Sequence, residues 1–103
     1  MVVYVMRYDV LSDKREAYAE WVMPAIRRLF SAPGVTGLRA YRIAVGDSQV
    51  ASAYEFPDFA AWASWYAHEE VQKVIVESRS YIVNLTTELW GPSPLAPDAL
   101  RPA

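Results

Sequence analysis

The chain has 103 residues, a length that suits one domain. Its 53% hydrophobic and 14% aromatic content is more than a small monomer can hide, so the surplus must serve a subunit interface, a ligand cavity or both. A net charge of −2, with acids and bases scattered singly, excludes the basic stripe of a nucleic-acid binder. The absence of cysteine removes disulfides, thiolate nucleophiles and cysteine metal sites, and a single histidine, His68, removes the multi-histidine metal centres.

Residues 1–10 are rich in Val and Tyr and read as a first strand. The segment carries Arg7 and Asp9, lacks a basic leader and is too short to span a bilayer, so the expected location is the cytoplasm. Neither parity of this strand is cleanly polar, which predicts burial on both faces. A first helix follows. Asp13 and Glu16 have capping-box spacing, with Ser12 as an alternative cap. Tyr18, Trp21, Val22, Ala25, Ile26 and Leu29 form its apolar stripe. Pro24 predicts a kink or short break near Val22, and Ala32-Pro33-Gly34 is the stop.

Residues 35–45 and 49–56 read as two strands of an antiparallel hairpin turning at Gly46-Asp47-Ser48. Pro57-Asp58 opens a second helical region with a stripe of Phe59, Trp62, Ala63 and Tyr66 and with Trp65 off it. The pattern stumbles at His68-Glu69-Glu70 and restarts with Val71, Val74, Ile75 and Ser78, so two pieces with a bend are expected. Residues 81–90 are the last strand, with Val83, Leu85, Thr87 and Leu89 on one parity. From Gly91 the prolines make a further strand or long helix unfavourable. The expected organisation is one domain over residues 1–90 and a proline-rich tail over 91–103.

The order β-α-β-β-α-β predicts an α+β fold with a four-stranded antiparallel sheet, the first and third strands central and both helical regions on one face. The other face keeps apolar and aromatic groups that a second copy of the chain would bury, so a homodimer through the sheet face is expected.

At this point the chain resembles the dimeric α+β barrel superfamily of ferredoxin-like proteins. The resemblance is carried by Trp21-Val22-Met23-Pro24, Ala32-Pro33-Gly34-Val35-Thr36-Gly37, Tyr41-Arg42, Phe56-Pro57-Asp58-Phe59-Ala60-Ala61-Trp62 and Glu88-Leu89-Trp90. It spans nearly all of residues 1–90. The group includes antibiotic-biosynthesis monooxygenases, EthD-like proteins, muconolactone isomerases and haem-degrading enzymes. The resemblance implies a homodimer with a pocket between sheet and helices in each subunit. EthD-like members often place a histidine just before the proline of the first helix, where this chain has Val22-Met23. Haem-degrading members use a histidine on the second helical region, where His68 lies in a different surrounding pattern. The quinone-forming monooxygenases work without a cofactor, through the substrate's own carbanion.

Among the residues themselves, His68 is the natural general base, because its unperturbed pKa lies near neutrality; a polar residue at a helix bend is the structural alternative. Tyr8 and Arg42 form the other candidate catalytic pairing, as base and oxyanion partner. Tyr4, Tyr54, Trp62 and Trp65 suit the walls of a pocket for a flat ligand, and core or dimer packing is the competing role. Asn84 offers a neutral amide that can orient a substrate oxygen. Arg7, Arg39, Glu55 and Glu88 are expected to pair. No phosphate-cradling loop or nucleophile elbow is present. The leading expectation is a cofactor-independent monooxygenase or isomerase acting on a small aromatic or polyketide-like substrate, without metal or cofactor, by proton abstraction beside a carbonyl. It requires a ring-sized cavity near His68, Tyr8, Trp62 and Asn84. A non-catalytic dimer that binds a hydrophobic ligand, and a haem binder, are the alternatives.

Overall fold

The computed structural model describes residues 1–103. In chain order it comprises β1 (Val2–Val10), a 3-10 turn (Ser12–Lys14), α1 (Arg15–Ser31), β2 (Gly37–Arg42), β3 (Val50–Phe56), α2 (Phe59–Ala67), α3 (Glu69–Ser78) and β4 (Ile82–Trp90). The strands form one sheet in the order β2-β3-β1-β4, every neighbour antiparallel. β1 and β3 are therefore central, and the fold is the ferredoxin-like α+β arrangement. No helix is long and apolar enough to cross a membrane.

Strand alternation sorts the side chains between two faces. Val2, Tyr4 and Tyr8 of β1 and Ser52, Tyr54 and Phe56 of β3 are all buried beneath the helices. The core joins them to Ala25 and Leu29 of α1, Trp65 of α2, and Val71 and Val74 of α3. The opposite face carries Val3, Val5, Ala51, Ala53, Tyr41 and Trp90 with no helix of the same chain over it, although Val5 at its centre is already buried at 4% exposure.

Several local features differ from the sequence expectation. The expected cap at Asp13 or Ser12 is replaced by the 3-10 turn, and α1 begins at Arg15 with no side-chain cap bond. Pro24 neither breaks nor ends α1. The proline costs only the bond to the Glu20 carbonyl, and both residues lie on the exposed side where water replaces it. β2 is shorter than expected, because only Gly37–Arg42 pair along β3. In α2 the buried stripe is Ala61, Trp62, Trp65 and Tyr66, while Phe59 is 54% exposed. A helix of 9 residues carries too few turns to choose between two apolar stripes by periodicity alone. Its N-cap is Asp58, whose carboxylate accepts from the Ala61 N–H at 2.8 Å.

β4 carries a bulge. Arg7 pairs with Thr86 but Asp9 pairs with Val83, so β4 has one residue more than β1 in this interval. Asn84 sits there at φ 58°, a left-handed conformation that Asn tolerates better than most residues. Its amide donates to Asp9 at 3.0 Å, and the other Asp9 oxygen accepts from the Gln49 N–H at 2.9 Å. The bulge reverses the parity of the strand, so Ile82 is buried and Val83 is 41% exposed on the open face.

Gly34 ends the turn after α1 at φ +115°, and a Cβ there would stand 2.7 Å from the Ala61 carbonyl oxygen. Both the backbone conformation and the close approach of α2 demand glycine. Gly34→Ala is expected to cost about 1–3 kcal/mol, read as a lower urea midpoint. An unchanged midpoint would show that the turn rearranges freely.

Candidate functional site

Two spaces open on the helical side of the sheet. The first is an apolar cavity of about 50 Å³ between the sheet, α1 and α3. Its floor is Met6, Tyr8, Ser52 and Tyr54, and its roof includes Ala25, Leu29 and Ile75. The second is an open groove of about 240 Å³ between α2 and β4, lined by Tyr4, Trp62, Tyr66, Thr87, Glu88 and Leu89. The groove exists because the helices cover the central strands and leave most of β4 exposed.

The roof of the cavity is latched by an ion-pair cluster. Arg28 of α1 donates from Nη1 and Nη2 to the two Glu77 carboxylate oxygens of α3, both at 2.7 Å, and from Nε to Glu70 at 2.6 Å. The Trp21 indole N–H donates to Glu77 at 3.2 Å. These bonds, Arg28 first and Trp21 second, hold the Glu77 carboxyl down at about 2. A lowered carboxyl stabilises the fold above its ordinary value of 4.5 and loses that contribution as pH falls toward 2. The partners are 33% and 41% exposed, so solvent screening keeps the effect modest. Glu77→Gln is expected to flatten the fall in stability between those two pH values. Parallel urea titrations of both proteins down that range check this, and equal slopes would contradict it.

The cavity contains hydroxyls but no charged side chain. Tyr8 and Tyr18 share a hydrogen bond of 2.5 Å between strand and helix. Burial, and secondarily the bond to Tyr8, raises the Tyr18 pKa. Burial likewise raises that of Tyr54, which neighbours Tyr8 and Tyr4. These two hydroxyls keep their protons at neutral pH and serve as hydrogen-bonding groups rather than bases.

In the groove, Trp62 and Tyr66 stack with ring centroids 5.1 Å apart, and Tyr4 meets them at 5.6 and 5.8 Å. The Tyr4 hydroxyl lies by Thr87 and Tyr66, and burial raises its pKa. The Trp62 indole N–H is buried and has no hydrogen-bond partner. Such a donor costs about 1–3 kcal/mol while unpaired. Trp65 stands between the two spaces. Its ring is 1% exposed, lies 5.5 Å from Tyr54 and 6.2 Å from Tyr4, and donates from Nε1 to the Leu29 carbonyl at 2.9 Å.

The residues singled out in the sequence therefore fall into three groups. Tyr8, Tyr54 and Trp65 line the cavity. Tyr4 and Trp62 line the groove. His68, Arg42 and Asn84 line neither. His68 is exposed at the joint between α2 and α3, where its Nδ1 accepts from the Glu70 N–H at 3.2 Å and caps α3. Arg42 is exposed at the end of β2. Asn84 holds the β4 bulge to Asp9. Tyr18, Trp21 and Ser52 of the cavity and Thr87 and Leu89 of the groove were not singled out as site residues. Tyr18 and Trp21 were legible only as members of the α1 stripe, and Thr87 and Leu89 only as one parity of β4. No three His, Asp or Glu side chains stand close enough to hold a metal ion.

No family model matches the chain, and no curated protein matches it by sequence. Solved structures do match its fold. A dabb-family protein with a ferredoxin-like fold from Mesorhizobium loti superposes with a TM-score of 0.79 at 14% identity, over 89% of this chain and 96% of that one. SnoaB, a cofactor-independent oxygenase from Streptomyces nogalater, gives 0.68 at 15% identity over 94% and 97%. A dimeric ferredoxin-like protein of unknown function from Thermobifida fusca gives 0.70 at 11% identity over 86% and 88%. The likeness agrees with the superfamily resemblance of the sequence motifs, and at these identities it describes the fold.

Proposed function

We propose that the chain is a cofactor-independent monooxygenase whose substrate, a small neutral aromatic or polyketide-like ring, lies in the Tyr4–Trp62–Tyr66 groove. The observation that carries this reading is the groove's construction. It has three aromatic walls, and its volume of about 240 Å³ exceeds the roughly 150 Å³ known to hold benzene. A structural neighbour that is a cofactor-independent oxygenase supports it.

The chemistry requires little from the chain. A methylene activated by a carbonyl loses a proton to solvent and leaves a carbanion–enolate. The carbanion adds dioxygen to give a hydroperoxide, which loses water and becomes a ketone. One oxygen atom enters the product and the other leaves as water. Groove hydroxyls that keep their protons, Tyr4 above all, act as donors to the enolate oxygen and lower the barrier to ionisation.

Anthrone, a ring ketone with such a methylene, is a suitable probe. It is expected to quench tryptophan fluorescence on binding and to consume one dioxygen per ketone formed. Trp62→Ala is expected to weaken binding about tenfold or more, because stacking and ring burial are both lost. Oxygen uptake equal to that of a protein-free control would sink the enzymatic reading. Unaltered affinity in Trp62→Ala would move the ligand elsewhere.

A second reading, a non-catalytic binder of a hydrophobic ligand, is favoured by one observation. No carboxylate is free to act as a base in the groove: strand alternation turns the Glu88 side chain to the opposite face of the sheet, where it pairs with Arg7 at 2.7 Å. Binding of anthrone without oxygen consumption would select this reading. In either case the working unit is a homodimer formed through the open sheet face. The apolar groups on that face and the dimeric Thermobifida fusca neighbour support it.

A further inference from the structure

We infer that the cavity under α1 is a holding site for a small apolar gas molecule, dioxygen in the proposed reaction, placed one strand away from the ring groove. The inference rests on that reading for the identity of the gas, but the site is argued from size, lining and register.

The cavity measures about 50 Å³. Room for one water takes roughly 10–15 Å³ on this measure, so the cavity admits small guests, yet it is only about a third of the roughly 150 Å³ that binds benzene. It is therefore too small for a ring and large enough for a diatomic molecule. Of its 15 lining residues, 13 are hydrophobic and none is charged. Ser78 uses its hydroxyl on the Ile75 carbonyl at 2.6 Å, and Tyr8 and Tyr18 bond each other, which leaves Ser52 and Tyr54 as the lining hydroxyls without a hydrogen bond. A water inside would find few partners, whereas an apolar guest gives up little on entering.

Strand register connects the two spaces. Tyr54 of the cavity is the β-ladder partner of Tyr4 of the groove, and Met6 of the cavity is the partner of Thr87 of the groove. Paired strands lie about 4.8 Å apart, so the two spaces are separated by little more than one layer of rings. Those rings are Tyr4, Tyr54 and Trp65. A carbanion in the groove would meet dioxygen from a reservoir at its back wall rather than from the open water in front.

Dioxygen is paramagnetic, which makes it its own probe. The intact protein is equilibrated under dioxygen pressure and methyl relaxation rates are measured by NMR. The Met6, Leu29 and Val74 methyls are expected to relax several-fold faster than those of Val45 and Leu95, which are 95% and 97% exposed. The excess is expected to vanish in Ala25→Leu, which fills the cavity from α1, and in the milder Ser52→Val, which fills it from the sheet. It is expected to persist in Trp62→Ala. Thermal melts identify a filled variant that fails to fold, and the other then decides. Relaxation that merely follows solvent exposure, or an excess that survives both filled variants, overturns the inference. So does a water that stays in the cavity under pressure. An excess confined to the cavity methyls, in a protein that consumes no dioxygen with anthrone, upholds the gas site and rejects the monooxygenase.

Discussion

Trp65→Ala is expected to be the most damaging single truncation in this chain, costing about 3–5 kcal/mol. The ring is 1% exposed and is packed 5.0 Å from Phe56 and 5.5 Å from Tyr54, centroid to centroid. Removing it leaves a void that the sheet side cannot close, because β1 and β3 are held on both edges. It also orphans the Leu29 carbonyl, which accepts the indole N–H at 2.9 Å near the end of α1. Small domains have only about 5–15 kcal/mol in total. The loss should therefore lower the melting temperature by about 15 °C or more. Trp65→Phe keeps most of the packing and removes the donor, so about 1–2 kcal/mol is expected from it. Circular-dichroism melts of the two variants check both numbers. A cost below about 1 kcal/mol for Trp65→Ala would mean that α2 is not the keystone of this core.

Most of the architecture was legible in the sequence because the strong signals were local. Alternating Val and Tyr marked β1, Pro33-Gly34 marked the end of α1, and His68 marked the joint between α2 and α3. The order of elements then left the arrangement with β1 and β3 central as the short-connection solution. What was not legible depended on single residues acting through the tertiary fold. The β4 bulge inserts one residue into an alternating run, and a period-2 pattern looks the same on either side of it. Pro24 is tolerated because the carbonyl it frees faces water, a property of helix orientation and not of the residue. Trp65 was assigned outside the stripe of α2 because so short a helix supports two registers. Contact with Leu29 and Phe56 selects between them.

The candidate site was less legible, for a different reason. Residue type suggests chemistry, but convergence decides whether it can happen. Histidine is the residue type best suited to a general base, yet the Nδ1 lone pair of His68 caps α3. Asn84 is an uncommitted amide in sequence, yet it is spent on Asp9. Of the strand tyrosines, Tyr8 finds its partner in Tyr18 of α1. Alternation alone could not separate Tyr4 from Tyr8, which share a face but sit under different helices and open to different spaces.

The second large effect is expected at the open face of the sheet. Only 15 of 103 residues are buried, although 53% of the chain is hydrophobic, so much apolar surface stays uncovered in one copy. On this face small and branched residues, Val3, Val5, Ala51 and Ala53, form a middle flanked by Tyr41 and Trp90. The charges around its middle are paired within the chain, and Asp9, towards the end of β1, accepts from Asn84 and the Gln49 N–H. Arg7 pairs with Glu88 and lies 5.7 Å over the Trp90 ring, and Arg39 stands 3.9 Å from Glu55. A second copy can cover such a face without burying an unpaired charge. Ala53→Glu breaks that condition. Ala53 is the ladder partner of both Val5 and Arg39, so the new carboxylate sits at mid-sheet and appears twice across a two-fold interface. In a single copy Arg39 can pair with it at the water-facing surface, so folding should survive. In the dimer two buried carboxylates would cost several kcal/mol, enough to weaken association a thousandfold or more, of order. Sedimentation is expected to give twice 11.6 kDa for the parent chain and 11.6 kDa for Ala53→Glu, with matching circular-dichroism spectra. The same substitution at Ala63, exposed on α2, should leave the dimer intact. A parent chain that sediments as a monomer, or an Ala53→Glu variant that remains a dimer, would place the partner somewhere other than this face.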